Sequence, residues 1–204
     1  MTNRRLRRVL GLLPLALVLA LPAASASAAS YSANSAGTLA GPLARAAATG
    51  DCSAAQSSPA DAGPQQLEAA ALCLVNRERT SRGLSALRPN GILDRAARNH
   101  SRNMVQQSFF AHDSLGGASV MDRVRRRGYR SGGGLMVGEN IAWGSGSYAT
   151  PAEIVDGWMN SPGHRANILH RSFREIGVGV AIGAPRPTHG QPAATYTTDF
   201  GARG

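Results

Sequence analysis

The sequence lacks lysine, since all 22 of its basic residues are arginine. This absence excludes mechanisms that need a lysine amine as nucleophile or Schiff base. Aromatic side chains make up only 5% of the 204 residues and do not alternate with the scattered arginines, which argues against the stacking surfaces of nucleic-acid-binding proteins. After residue 21 no stretch is apolar enough to cross a bilayer, which takes about 20 consecutive apolar residues.

The N-terminus has the pattern of a secretory signal peptide. Four arginines at positions 4, 5, 7 and 8 precede an apolar run from Val9 to Leu21, and residues 26–28 supply small side chains at cleavage spacing. A run of about 13 residues is short for a membrane span, so a retained signal anchor is the less favoured alternative. We therefore predict a signal peptide over 1–28, a secreted, extracellular protein, and no transmembrane span after its removal.

The charge balance stays positive after that cleavage. The full chain has a net charge of +10, and loss of the four N-terminal arginines leaves about +6. Outside the cell, a basic surface favours anionic wall polymers or lipid headgroups as partners. The use of arginine at every basic position is typical of proteins encoded by a GC-rich bacterial genome.

Only two cysteines are present, Cys52 and Cys73. An even number in an exported chain predicts a disulfide, and two cysteines allow one intramolecular pairing. The ring would close over about 20 residues, which is worth roughly 3 kcal/mol in the chain-entropy description. A structural zinc site takes four ligands, so metal binding by this pair is disfavoured.

The amino-acid composition divides the rest of the chain into two regions. Residues 29–64 consist mostly of Ala, Ser, Gly and Pro with few large apolar side chains, which predicts a low-complexity flexible linker. Periodic segments begin near Gln65. Residues 65–204 therefore form one domain of ordinary size.

Within that domain, apolar periodicity and capping signals predict five helices and two strands. The helices are Leu67 to a stop at Gly83, Ile92–Gln107, Val120–Arg127, a helix capped by Thr150 that ends near Asn160, and one from Pro162 to Leu169; the strands are Glu175–Ile182 and Thr195–Phe200. Helices on either side of a small sheet predict an α+β fold, a three-layer α-β-α sandwich.

Three short polar stretches bear the candidate chemistry. They contain His112, Glu139 and His164, which could form a two-histidine, one-carboxylate metal site or an acid/base cluster. The separations of 27 and 25 residues match no local metal-binding motif. Each residue also has a structural interpretation. His112 could be a loop histidine, Glu139 a buried carboxylate near a turn that accepts hydrogen bonds from backbone N–H groups, and His164 an imidazole that covers the core.

The same stretches, Phe110–Ser114, Gly138–Ala142 and Trp158–Leu169, occur in an order that resembles the bacterial secreted branch of the CAP superfamily (cysteine-rich secretory proteins, antigen 5, pathogenesis-related 1; the SCP domain). The resemblance covers about residues 70–201. It implies the α-β-α sandwich and places His112, Glu139 and His164 at three of the four polar positions of the superfamily's cleft. The fourth, a glutamate, falls on Ser161, which is better explained as a helix N-cap.

The resemblance implies several activities, because superfamily members bind sterols or lipids, zinc, or protein partners. We predict a monomeric extracellular binding or interaction protein (for a lipid, wall polymer or protein ligand), with a cleft in which His112, Glu139 and His164 are candidate zinc ligands. The alternative is a metal-dependent hydrolase acting on a peptide or cell-wall substrate, with Glu139 as ligand or base. No serine occupies a nucleophile elbow, and a purely structural domain is the third interpretation.

Overall fold

The computed structural model describes residues 52–204, and a four-stranded sheet lies at their centre. The strands are β1 (Arg88–Pro89), β2 (Leu135–Ser145), β3 (Glu175–Ile182) and β4 (Ala193–Arg203). The helices are α1 (Pro64–Thr80), α2 (Gly91–Gln106), α3 (Val120–Arg126), α4 (Pro151–Asn160) and α5 (Pro162–Ile168), with a short 3₁₀ turn over Gly146–Ala149. Within this part of the chain, no helix is both long and apolar enough to span a membrane.

The sheet runs in the order β1-β3-β4-β2. β1 pairs with β3 in parallel, whereas β4 is antiparallel to both β3 and β2. Apolar side chains of α1, α4 and α5 pack on one face with Val178, Val180, Tyr196 and others. On the other side, α2 and α3 pack together through Leu93, Ala96, Val124 and Tyr129. The chain therefore forms the predicted α+β, three-layer α-β-α sandwich.

Two glycines let α2 lie directly on β3. A Cβ at Gly177 would meet the carbonyl carbon of Leu93 at 2.1 Å, and one at Gly179 would meet the backbone nitrogen of Arg98 at 2.1 Å. Real Cβ atoms do not approach backbone so closely, so only glycine fits at these two positions. Because side chains alternate along a strand, the neighbouring valines fill the opposite face.

Helix carboxylates cover the edge of β3 beyond the short strand β1. The Val178 N–H donates to Asp94 Oδ1 at 3.0 Å, and the Val180 N–H donates to Glu68 Oε1 at 3.1 Å. Burial raises the pKa of Asp94 to about 6 despite that backbone hydrogen bond. These contacts satisfy edge N–H groups that could otherwise pair with a foreign strand.

The predicted helices and strands are found within about three residues of their bounds, with two omissions, the two-residue strand β1 and the long strand β2. β2, eleven residues long, was not among the predicted strands, although it contains the stretch Gly138–Ala142. Its glycines and polar side chains obscure the alternation that normally indicates a strand. Glu139 is therefore a buried carboxylate within a strand, whereas its structural interpretation placed it near a turn.

The predicted linker needs a correction where it overlaps the structure. Residues 52–63 form hydrogen-bonded turns, Ala62 is buried in the core, and the Ala152 N–H donates to the Ala55 carbonyl at 2.9 Å. Small side chains pack here because the Cys52–Cys73 disulfide, with a Cα–Cα distance of 5.6 Å, fixes this segment to α1. The disulfide is confirmed. The signal peptide and the rest of the linker fall on residues 1–51, outside the described residues.

Candidate functional site

Glu139 is the buried centre of the candidate site. It lies in the middle of β2 with a side chain that is 1% exposed, and it is paired in register with Asp199 of β4. A carboxylate so far from water needs hydrogen-bond donors or a cation to remain charged. Its two oxygens bind two different side chains, His112 and Arg123.

His112 provides the first contact. It lies in the loop between α2 and α3, and its Nδ1 is 2.8 Å from Glu139 Oε1. This hydrogen bond raises the pKa of His112 although partial burial opposes it. The side chain is 56% exposed, so the ring joins the buried carboxylate to solvent. Two of the three candidate residues, His112 and Glu139, are thus joined by a hydrogen bond.

Arg123 of α3 provides the second contact, and sequence reasoning missed it. Its Nη2 pairs with Glu139 Oε2, while its Nη1 donates to the carbonyls of His112 (2.7 Å) and Ala118 (3.0 Å). Only 8% of the side chain is exposed. Burial pushes the pKa of Glu139 upward, but the His112 hydrogen bond and the charge of Arg123 outweigh it and lower the pKa. Because Arg123 lies among several neighbouring arginines, the sequence alone does not distinguish it as the buried one.

Two further buried groups adjoin the glutamate. Asp199 is fully buried, and neither of its oxygens has a hydrogen-bond partner of good geometry among the described residues. Burial and then the charge of Glu139 raise the pKa of Asp199 well above its usual value. On α2, burial lowers the pKa of His100, so its neutral ring donates from Nε2 to the Ala111 carbonyl at 2.9 Å. That bond anchors the residue immediately before His112.

His164 lies apart from this hydrogen-bonded group, in the first turn of α5. Its ring makes no hydrogen bond among the described residues, and burial together with the charge of His112 lowers its pKa. The pKa values of the two histidines are therefore shifted in opposite directions, upward for His112 and downward for His164. The reason is that only His112 contacts a carboxylate.

Asparagine side chains join α5 to the strand that carries Glu139. Asn167 Nδ2 donates to the Glu139 carbonyl at 3.1 Å and to Asn140 Oδ1 at 2.9 Å, and Asn140 Nδ2 donates to the His164 carbonyl at 3.1 Å. Trp158 Nε1 donates to the Ile141 carbonyl. The polar stretches Gly138–Ala142 and Trp158–Leu169 thus fix the position of His164 relative to β2.

His164 lines an open cleft of about 340 Å³. Its walls include Trp143, Tyr148, Glu153, Trp158 and Ser161. Tyr148 is 72% exposed, so an aromatic surface is available to a ligand. Ser161 occupies the N-cap position of α5, as expected, but its side chain makes no capping hydrogen bond. His112 and Glu139 are not among the residues that line this cleft.

Comparison with known proteins identifies the family. Residues 72–197 match the CAP model, described as the cysteine-rich secretory protein family. The chain belongs to this family. Two Bacillus subtilis proteins are similar in sequence: YkwD is 41% identical over 108 residues, and the membrane protein YlbC is 34% identical over 109. The matches cover 52% and 53% of this chain but only 39% and 30% of those longer proteins.

Solved structures agree with the CAP assignment. An extracellular SCP-domain protein from Bacillus anthracis is 26% identical with a TM-score of 0.55, over 69% of this chain and 44% of that one. An outer surface protein of Borrelia burgdorferi has a TM-score of 0.51 at 19% identity, over 65% of this chain and 90% of that one, and shows the shared fold alone. The resemblance inferred from the sequence is confirmed.

The donor groups of this CAP domain do not fit a zinc ion held by His112, Glu139 and His164 together. Both Glu139 oxygens already bind His112 and Arg123, and the guanidinium would repel a divalent cation. Across residues 52–204, no group of three or more His, Cys, Asp and Glu side chains is placed to hold a metal ion. The remaining candidate zinc ligands would be the imidazoles of His112 and His164, and the His112 ring is already hydrogen-bonded to Glu139.

Proposed function

We propose that this CAP domain is an extracellular binding module whose ligand occupies the cleft beside His164. The observation that carries the proposal is the composition of that cleft: an exposed Tyr148 and the indole of Trp143 adjoin a neutral imidazole and the carboxylate of Glu153. Aromatic faces with a few polar groups are typical of ligand sites. They suit a ligand with both apolar and hydrogen-bonding groups, such as a wall-polymer segment or a lipid headgroup.

An extracellular location has three supports. The N-terminal sequence has the signal-peptide pattern, and the Cys52–Cys73 disulfide suits an oxidising compartment. The Bacillus anthracis structure is described as an extracellular protein. This chain spans less than half of that protein and of its Bacillus subtilis relatives. The activity proposed here therefore refers to this chain and not to those longer proteins.

The binding proposal is tested by nuclear magnetic resonance of ¹⁵N-labelled protein titrated with soluble muropeptides and, separately, with a monomeric lysophospholipid. One of these probes should shift the Trp143 indole and His164 resonances, and Tyr148→Ser should weaken its binding about tenfold. Leu115→Ser is the matched control, since Leu115 is also exposed but does not line this cleft. Equal weakening by both substitutions, or no shift with either probe, would contradict the proposal.

A hydrolase is the second candidate, and the His112–Glu139 pair favours it. A histidine oriented by a carboxylate can accept a proton from an attacking water. Two observations weaken this interpretation: both cysteines are in the disulfide, and the raised pKa of His112 leaves less of the neutral base at neutral pH. Muropeptide cleavage by the wild type that His112→Ala abolishes would favour the hydrolase.

Zinc dependence enters the proposal only in a weak form. With both Glu139 oxygens engaged, the two imidazoles alone should bind zinc poorly. Calorimetry with zinc chloride should therefore give at most weak binding that disappears in a His112→Ala, His164→Ala variant. Tight binding would show that Glu139 leaves Arg123 to become a ligand.

A further inference from the structure

Helix α3 and the residues after it concentrate positive charge. Five of the 22 arginines lie between positions 123 and 130. Of these, Arg123 is neutralised by Glu139. The adjacent carboxylate, Asp122, accepts hydrogen bonds from the Ser119 N–H and hydroxyl at the helix cap, and it interacts with Arg126 and Arg125 only through longer-range electrostatics. The other four arginines, which we name the α3 arginine surface, are Arg125, Arg126, Arg127 and Arg130.

The α3 arginine surface is not explained by pairing within the fold. Among the described residues, none of its four members forms a salt bridge, and three of them are exposed. Cations in the last turn of a helix interact favourably with its dipole, which accounts for Arg125 and Arg126. Arg127 is the C-cap residue of this helix, and Arg130 lies beyond it. The four guanidinium groups therefore remain accessible to an anion from solution.

These arginines line clefts on two sides of α3. Arg126 and Arg127 join Arg123 along a cleft of about 500 Å³, opposite the amide side chains of Asn99 and Asn103 on α2. Arg125 and Arg130 line a second cleft of about 390 Å³ with Ser131.

We propose that the α3 arginine surface binds a flexible anionic polymer that carries phosphate groups, with its chain lying in both clefts. A guanidinium is planar and can bind a phosphate through two parallel hydrogen bonds. A flat bilayer can contact only one flank of a helix at a time, whereas a flexible chain can reach both. This site is separate from the aromatic cleft beside His164, so it does not depend on the function proposed there.

The test measures binding of fluorescent long-chain inorganic polyphosphate as a function of salt. The quadruple variant R125S/R126S/R127S/R130S should bind at least about tenfold more weakly, and its log affinity should fall less steeply with log salt, by about 0.7 to 0.9 for each phosphate that is no longer neutralised. R125S/R130S and R126S/R127S should each give part of this loss, because each double variant lacks the surface arginines of one cleft. The variants alter exposed or half-buried side chains, and thermal unfolding verifies that they fold.

The matched control is R171S/R186S, which removes two exposed arginines that line neither cleft. It should bind polyphosphate within about twofold of the wild type. Equal losses in R171S/R186S and R126S/R127S would overturn the proposal in favour of net charge alone. Binding to phosphatidylglycerol vesicles without binding to polyphosphate would overturn it in favour of a membrane surface. Absence of polyphosphate binding at low salt would also overturn it.

Discussion

Two buried glutamates of the same sheet bind arginine in different settings. Glu175 on β3 accepts from Arg203 Nε (2.9 Å) and Nη2 (2.6 Å), from the Tyr129 hydroxyl (2.7 Å) and from Asn90 Nδ2 (3.0 Å). Glu139 on β2 is held by Arg123 and His112. For both carboxyl groups, burial opposes ionisation but the hydrogen bonds lower the pKa.

The partners distinguish the two clusters. Burial, together with the Glu175 hydrogen bond, raises the pKa of Tyr129, so no partner of Glu175 changes charge near neutral pH. In contrast, His112 is an imidazole whose pKa is raised by its hydrogen bond to Glu139, and the neighbouring Asp199 is buried without a hydrogen-bond partner of good geometry in the described residues. The Glu175 cluster closes the fold, whereas the Glu139 cluster retains groups that can bind, release protons or reorganise.

The largest effect should come from removing the buried cation. Arg123→Met would leave Glu139 charged, buried and without its arginine, which typically costs about 3–5 kcal/mol. Arg203→Met should cost less, because the Arg203 side chain is 43% exposed and Glu175 keeps two other donors. Urea unfolding of both variants measures the difference. A smaller loss for Arg123→Met would show that the Glu139 cluster is not the more tightly constrained one.

The disulfide provides a perturbation outside both clusters. Cys52 and Cys73 are separated by 21 residues, so Cys52→Ser, Cys73→Ser should lower the free energy of unfolding by roughly 3 kcal/mol. The pKa values of His112 and His164, measured by nuclear magnetic resonance below the melting temperature, should not change. A change in either would mean that the disulfide also positions the site.

The next effect concerns pH. The folded pKa of His112 is raised above 6.5, so its interaction stabilises the protein fully below pH 6.5, and this stability is lost as pH rises through the folded pKa. The folded pKa values of Glu139 and Glu175 are lowered below 4.5, so their contributions are present above pH 4.5 and lost as pH falls through the folded values. Only the Glu139 cluster thus has a loss near neutral pH.

Glu139→Gln should therefore reduce the loss of unfolding free energy that accompanies a rise in pH above 6.5, while Glu175→Gln should leave that loss unchanged. In the same Glu139→Gln variant, the pKa of His112 should fall toward that of a free imidazole. Chemical denaturation across this range and histidine titration measure the two quantities. A His112 pKa that is the same in the wild type and in Glu139→Gln would contradict the assigned hydrogen bond.

The smallest effect should come from Asp199→Asn. Burial raises the pKa of Asp199 well above its usual value and so favours the neutral carboxyl, for which a neutral amide of the same shape should change the free energy of unfolding by less than about 1 kcal/mol at neutral pH. Glu139→Gln, on the neighbouring strand, should lose more because it removes a charge that Arg123 requires. Equal losses in the two variants would show that Asp199 is ionised.

The sequence predicted the helices, two of the strands and the three stretches of the site, because capping residues and apolar periodicity are local signals. It could not predict Arg123, which pairs with a residue 16 positions away and resembles the exposed arginines beside it. It missed β2 because glycine and polar residues occupy a strand whose partner, β4, begins more than 40 residues later. It also grouped His164 with His112 and Glu139, and it could not predict that His164 lines the aromatic cleft while only His112 binds the carboxylate.

The glycines that let α2 lie on β3 affect how a mutational scan of this protein should be interpreted. Any side chain at Gly177 or Gly179 would displace α2. This helix carries His100, whose ring is hydrogen-bonded to the carbonyl of Ala111, the residue immediately before His112. Substitutions there should abolish function by disrupting the fold, although neither glycine has a side chain that could contact a ligand. A map of intolerant positions would therefore mark the spacing between helix and strand as strongly as the binding cleft, and solubility measured for each variant would separate the two.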